Sequence, residues 1–177
     1  MKKILTTFLL LVSFATVFAQ YRDSVELKGT NNTYKRYTSP KCYFLYNKAN
    51  TFMFIDPNYP EGEYTLPHIT IGNASTLYGL IKKYITPILK NTDLHFDSIN
   101  YSTFRINFFS DAVGNIKEIS LYYSQQFPIP IATIEAFEAE LLKSDVKLVF
   151  NTKVRMLRDA RQVVKTWGIH YEDIIKL

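Results

Sequence analysis

Three histidines, one cysteine and a few close carboxylate pairs are the side chains with chemistry to offer in this 177-residue chain. His68, His95 and His170 lie far apart, and neither an H-x-x-x-H nor a C-x-x-C spacing is present to seat zinc. His95-Phe96-Asp97 would set an imidazole and a carboxylate on one face of a strand, which is weak support for a site. Cys42 sits among bulky aromatics in Cys42-Tyr43-Phe44-Leu45-Tyr46, not at a helix N-terminus that would lower its pKa. It reads as a small buried residue, with a reactive thiol or an intermolecular bridge as the alternative. A G-x-S-x-G elbow and a phosphate-cradling glycine loop are both missing. Glu61 with Glu63 reads as a solvated loop pair, and Glu138 with Glu140 as the solvated outer face of a helix. Glycosidase carboxylates would instead face one another across a cleft. The sequence therefore assigns no catalytic residue, no metal ligand and no cofactor, and its first reading is a non-enzymatic binding domain. A hydrolase whose site is hidden from sequence is the alternative.

Two groups of residues suit binding. Aromatics make up 15% of the chain, and Tyr43, Tyr46, Tyr59 and Tyr64 cluster in one stretch where exposed rings would suit a glycan. Between residues 143 and 165, seven cations, Arg155, Arg158 and Arg161 among them, face two carboxylates. Such a run suits an acidic surface or an envelope protein, or is a solvated face.

The N-terminus bears on the choice of partner. Lys2 and Lys3 precede an apolar run from Ile4 to Phe18, and Val17-Phe18-Ala19 fits a signal-peptidase site, so residues 1–19 read as a signal peptide cut before Gln20. The run is short and hydroxyl-rich for a membrane span, which wants about 20 apolar residues. A secreted or periplasmic location follows, with no nucleic acid as partner and no integral membrane segment after cleavage. The net charge of +5 becomes +3 once the two lysines are removed.

The remaining residues make one domain's worth of chain, with a β-rich extension over 20–73 and a core over 74–177. A short strand is expected at Val25–Leu27. The aromatic runs Cys42–Tyr46 and Thr51–Ile55, split by Asn47–Asn50, predict a β-hairpin. Leu77, Leu80, Ile81, Tyr84, Ile85, Ile88 and Leu89 form an apolar stripe at helical spacing, with Asn73 or Ser75 as cap and Pro87 as a kink. Alternation over Thr103–Ser110 and Ile116–Tyr123, around Asp111-Ala112-Val113-Gly114-Asn115, predicts a second hairpin. A helix over Thr133–Lys143 is expected to bury Ile134, Phe137, Leu141 and Leu142, with Glu135 in its first turn. Val146–Phe150 and Val163–Tyr171 read as strands, and 151–162 as either a basic helix or a strand or loop. The fold class is α+β: a two-layer arrangement of two helices on an antiparallel sheet, in the order helix-β-β-helix-β, with an N-terminal β-hairpin extension.

Over residues 75 to 171 this order resembles the C-terminal domain of TonB-like proteins. The matching residues are Phe104 to Asp111, Gly114-Asn115-Ile116, Ile119 to Leu121, the helix near Phe137, and Trp167 to Tyr171. The resemblance implies helices packed on a small antiparallel sheet. It does not imply energy transduction, because Pro130-Ile131-Ala132-Thr133 stands where the family opens its second helix with small and acidic residues. The whole also resembles small uncharacterised secreted bacterial proteins.

Overall fold

The computed structural model describes residues 23–55, 69–92, 103–150 and 161–177; the proposed signal peptide, His68 and His95 lie outside them. Its main layer is a six-stranded sheet of β1 (Asp23–Lys28), β2 (Thr33–Thr38), β3 (Cys42–Asn47), β5 (Thr103–Ser110), β6 (Ile116–Ser124) and β8 (Val163–His170). The strand order is β1-β2-β3-β6-β5-β8, and every pairing is antiparallel. A two-stranded sheet pairs β4 (Ile69–Gly72) with β7 (Lys147–Phe150). Among the described residues the second layer holds four helices: α1 (Ala74–Tyr84), α2 (Thr86–Lys90), α3 (Ile131–Lys143) and α4 (Tyr171–Lys176). The α+β class and the helix-β-β-helix-β order are as the sequence predicts. Among the described residues, no helix is long and apolar enough to cross a membrane.

Period-two alternation decides which strand residues are buried. Phe104, Ile106 and Phe108 of β5 and Ile119, Leu121 and Tyr123 of β6 are at most 2% exposed and meet the helices. Leu77, Leu80 and Ile81 of α1 and Ile134, Phe137 and Leu141 of α3 complete this core. Pro87 does more than kink the first helix. With no amide hydrogen to give, it starts α2 afresh, so α1 ends at Tyr84. Asn73 stands at the start of α1 with φ 55° and spends its side chain on Asp145, not on a cap bond. Gly79 of α1 has open space where a Cβ would stand. Gly79→Ala is therefore expected to stabilise the protein by about 0.5–1 kcal/mol, measured by urea denaturation, through helix propensity alone.

Three expectations are corrected. Thr51–Ile55 is not a strand: β3 pairs with β2 on one side and β6 on the other, and Phe52–Phe54 is a single 3-10 turn. The N-terminal hairpins are β1–β2 and β2–β3, and they extend the sheet outward from β6. Residues 23–47 and the core beyond residue 74 thus share one hydrogen-bonded layer. Tyr171 does not end the last strand but opens α4, where it is buried.

Candidate functional site

Glu138 is not a solvated charge. It follows Ile134 by four residues and precedes Leu141 by three, so helical spacing turns it inward with them, while Leu142 lies 38% exposed. Its carboxylate accepts from Tyr34 Oη at 2.6 Å and from Asn47 Nδ2 at 3.3 Å. Burial pushes its carboxyl above the usual range, against the pull of these two donors, and the charges of Glu118 and Glu135 add to the rise.

Glu135 and Glu118 do a different job. Glu135 accepts the backbone N–H groups of Thr30, Asn31 and Asn32 at 2.6, 2.7 and 2.8 Å. A Cβ on Gly29 would stand 2.6 Å from its Oε2, so glycine there gives the carboxylate room. Burial pushes the Glu135 carboxyl up, but the three amides outweigh it and hold the group below the usual carboxylate range. Glu118, on the outer face of β6, accepts from Thr51, Phe52 and Met53 at 2.7, 2.8 and 2.7 Å. Each carboxylate thus fixes a loop through three consecutive amides, and its oxygens are occupied in doing so. Glu140 is the solvated member of the helix, paired with Lys83 at 2.6 Å. Among the described residues, no three His, Cys, Asp or Glu side chains converge to hold a metal ion.

Facing away from the helices, the sheet presents two cross-strand rows. Register places Tyr37 opposite Phe44, Phe44 opposite Tyr122, Tyr122 opposite Arg105, and Arg105 opposite Gly168. The next row runs Lys35, Tyr46, Ser120, Asn107, Thr166. Tyr46 stacks on Tyr37 at 6.2 Å between centroids and tilts onto Phe44 at 5.8 Å. Phe54, 64% exposed, meets the Tyr46 ring edge-on at 5.7 Å. The Glu118 clasp on its turn and a bond from Gln162 Nε2 to the Phe52 carbonyl hold it there. Lys35 Nζ lies 5.0 Å from the Tyr37 ring, and the Arg105 guanidinium 5.7 Å from that of Tyr122. Asn107 binds Ser120 through its amide nitrogen at 3.0 Å and accepts from Thr166 at 2.8 Å.

Strand alternation separates the predicted binding residues. Tyr46 joins the outer rows. Tyr43, three positions away, points to the helix side, where it meets Tyr123 at 5.6 Å under the Arg36 guanidinium at 4.1 Å. Tyr43 and Tyr46 therefore do not share a face, and Tyr59 and Tyr64 lie outside the described residues, as do Arg155 and Arg158. Arg161 is exposed just before β8, and His170 is exposed at the strand's end. Cys42 is buried, which pushes its thiol up, and Tyr122 is pushed up to about 12 by burial and by that thiol. This fits the inert reading of the cysteine.

Fold and site together describe an α+β domain with one helix-covered sheet face and one ring-lined face. No family model matches the chain, and no curated protein matches it. The chain is similar to the crystal structure of a DUF5043 family protein from Bacteroides uniformis ATCC 8492, with a TM-score of 0.59 at 12% identity over 85% of this chain and 93% of that one. At that identity the likeness is one of fold.

Proposed function

We propose that this protein is an exported, non-enzymatic binding domain of the cell envelope that binds through the outer face of its sheet. The observation that carries the reading is the outer ring ladder, in which Tyr46, Tyr37, Phe44 and Phe54 pack against one another while Phe54 stays 64% exposed. Phe54, held exposed by a carboxylate clasp and packed on Tyr46, extends the ring row into one aromatic patch, and contiguous apolar patches suit a contact. A hydrolase is less well supported, because Glu118 and Glu135 are spent on loop amides and Glu138 is buried on Tyr34. Export is supported by Lys2, Lys3, the Ile4–Phe18 run and Val17-Phe18-Ala19.

Two measurements test the reading. N-terminal sequencing of the full chain recovered from expressing bacteria is expected to begin at Gln20; retention of Met1 in a cytoplasmic fraction overturns export. The purified protein is expected to co-sediment with isolated envelope material, and Phe54→Ala to weaken this several-fold with its melting temperature preserved. Equal sedimentation of the two proteins removes the outer face from the reading.

A further inference from the structure

The geometry points to an acidic glycan as the occupant of the outer face, its sugar rings lying along the cross-strand rows and an anionic group seated on Arg105. This rests on the binding reading above and names its ligand. Three features of the face carry it.

The first is direction. Tyr37, Phe44, Tyr122 and Arg105 stand on four neighbouring strands in one register row. At about 4.8 Å per strand the row spans roughly 14 Å, enough for an extended chain and not only for one ring. The faces of aromatic rings carry partial negative charge, which suits the C–H groups of a pyranose face.

The second is the neighbouring row. Asn107 and Thr166 set an amide and a hydroxyl beside the rings, joined at 2.8 Å, while the buried Ser120 hydroxyl holds the Asn107 amide nitrogen at 3.0 Å. Groups that both donate and accept match sugar hydroxyls.

The third is charge. Among the described residues no carboxylate pairs with Arg105. A Cβ on Gly168 would come to 3.3 Å from the Arg105 Cγ, so the bare backbone there seats the arginine stem at the end of the row. The nearby acids are taken: Glu26 by Lys48 at 2.6 Å, Glu118 by three amides. A planar guanidinium that rests on the Tyr122 ring and pairs with no carboxylate among the described residues is matched by a carboxylate or sulfate. Rings and cations on a sheet also suit single-stranded nucleic acid. That ligand needs a cationic groove tracking a phosphate at every nucleotide. Here neutral groups separate Arg105 from Lys35, and beyond Lys35 the row continues to the carboxylate of Glu26 on β1.

Calorimetric titration of the full-length protein tests this with oligogalacturonate, its methyl ester, dextran sulfate, dextran and a ten-nucleotide dT strand. Oligogalacturonate or dextran sulfate is expected to bind at least tenfold more tightly than its uncharged counterpart. Arg105→Gln is expected to remove that advantage, and Phe54→Ala to weaken charged and uncharged glycans alike. Equal affinity for charged and uncharged forms, or indifference to Arg105→Gln, overturns the acidic glycan. If Phe54→Ala still weakens binding, the outer-face reading survives that result. Tighter binding of dT overturns the glycan in favour of nucleic acid. No binding of any probe overturns the glycan; the outer-face reading falls with it only if Phe54→Ala also leaves envelope sedimentation unchanged.

Discussion

Gly114→Ala is expected to cost about 3 kcal/mol or more of stability and to lower the melting temperature by roughly 6–12 °C. Two independent penalties meet at this position. Gly114 has φ +91°, a conformation that an L side chain rarely adopts. A Cβ built there would also lie 2.0 Å from the Leu148 carbonyl oxygen. That oxygen is backbone, so no rotamer change relieves the clash. The two chains are held at this separation by a bond from Leu148 N–H to the Gly114 carbonyl at 2.9 Å and by the bridge of Asn115 with Lys147. Relief requires the β5–β6 turn to part from β7, and Leu148, 1% exposed, loses its seat with it. The turn's own bonds, from Val113 and Asn115 to Asp111 Oδ1, resist a change of conformation from the other side. Urea denaturation of Gly114→Ala beside Gly79→Ala checks this with the same chemical change made twice. Opposite signs are expected, and a Gly114→Ala loss below 1 kcal/mol overturns the account.

How much of this could be read in the sequence depended on whether the deciding contact was local. The β5–β6 hairpin was legible because its alternation and its Asp111–Asn115 turn lie within about twenty residues of chain. The helices were legible from their apolar stripes. Strand β2, Tyr34-Lys35-Arg36-Tyr37 at its centre, was not, because tyrosine occupies both faces and two cations stand between the tyrosines, leaving no apolar period. Thr51–Ile55 has the composition of a strand, yet three of its amides go to Glu118, 65 to 67 residues away. No local pattern announces that. Half of the candidate site was legible in the same sense. Tyr46 was named from its ring, but its neighbours Tyr122 and Arg105 reach it only through the β3–β6 and β5–β6 pairings. Tyr43 was grouped with Tyr46 by composition, whereas a strand period of two, applied to Cys42–Asn47, already puts the two on opposite faces. The signal for Glu138 was also present: its place four after Ile134 outweighs its charge once a phenol 104 residues away supplies a donor.

That donor sets up the second large effect. Tyr34→Phe is expected to cost about 2–3 kcal/mol near pH 8 and only about 1 kcal/mol near pH 4. The ring itself stays, so the core is kept; what is lost is one 2.6 Å hydrogen bond to a buried carboxylate. The site is lined by Leu45, Ile119, Leu121 and Ile134 and has no room for a water molecule to replace the hydroxyl. Asn47 remains as a donor, but at 3.3 Å. The pH dependence follows from the direction of the Glu138 shift, which burial raises above the value of 4.5 expected in the unfolded chain. A raised carboxyl favours folding fully while it is protonated, below that unfolded value, and the advantage is lost as pH climbs through the folded value. Removing the Tyr34 hydroxyl takes away a donor that lowers the folded value, so the variant loses more stability than the wild type over the same climb. Glu135, three residues earlier on α3, has the opposite sign: its lowered carboxyl contributes above the unfolded value and loses its contribution as pH falls. Because Glu135 is present in both proteins, it cancels in their difference and the Tyr34→Phe penalty isolates Glu138. Denaturation from pH 4 to pH 8 of wild type, Tyr34→Phe, Glu138→Gln and the double variant gives the result directly. The Tyr34→Phe penalty should grow with pH when Glu138 is present and stay flat when it is glutamine. A penalty independent of pH in the Glu138 background would mean that the carboxyl is already neutral throughout, and that the Tyr34 bond is an ordinary one between uncharged groups.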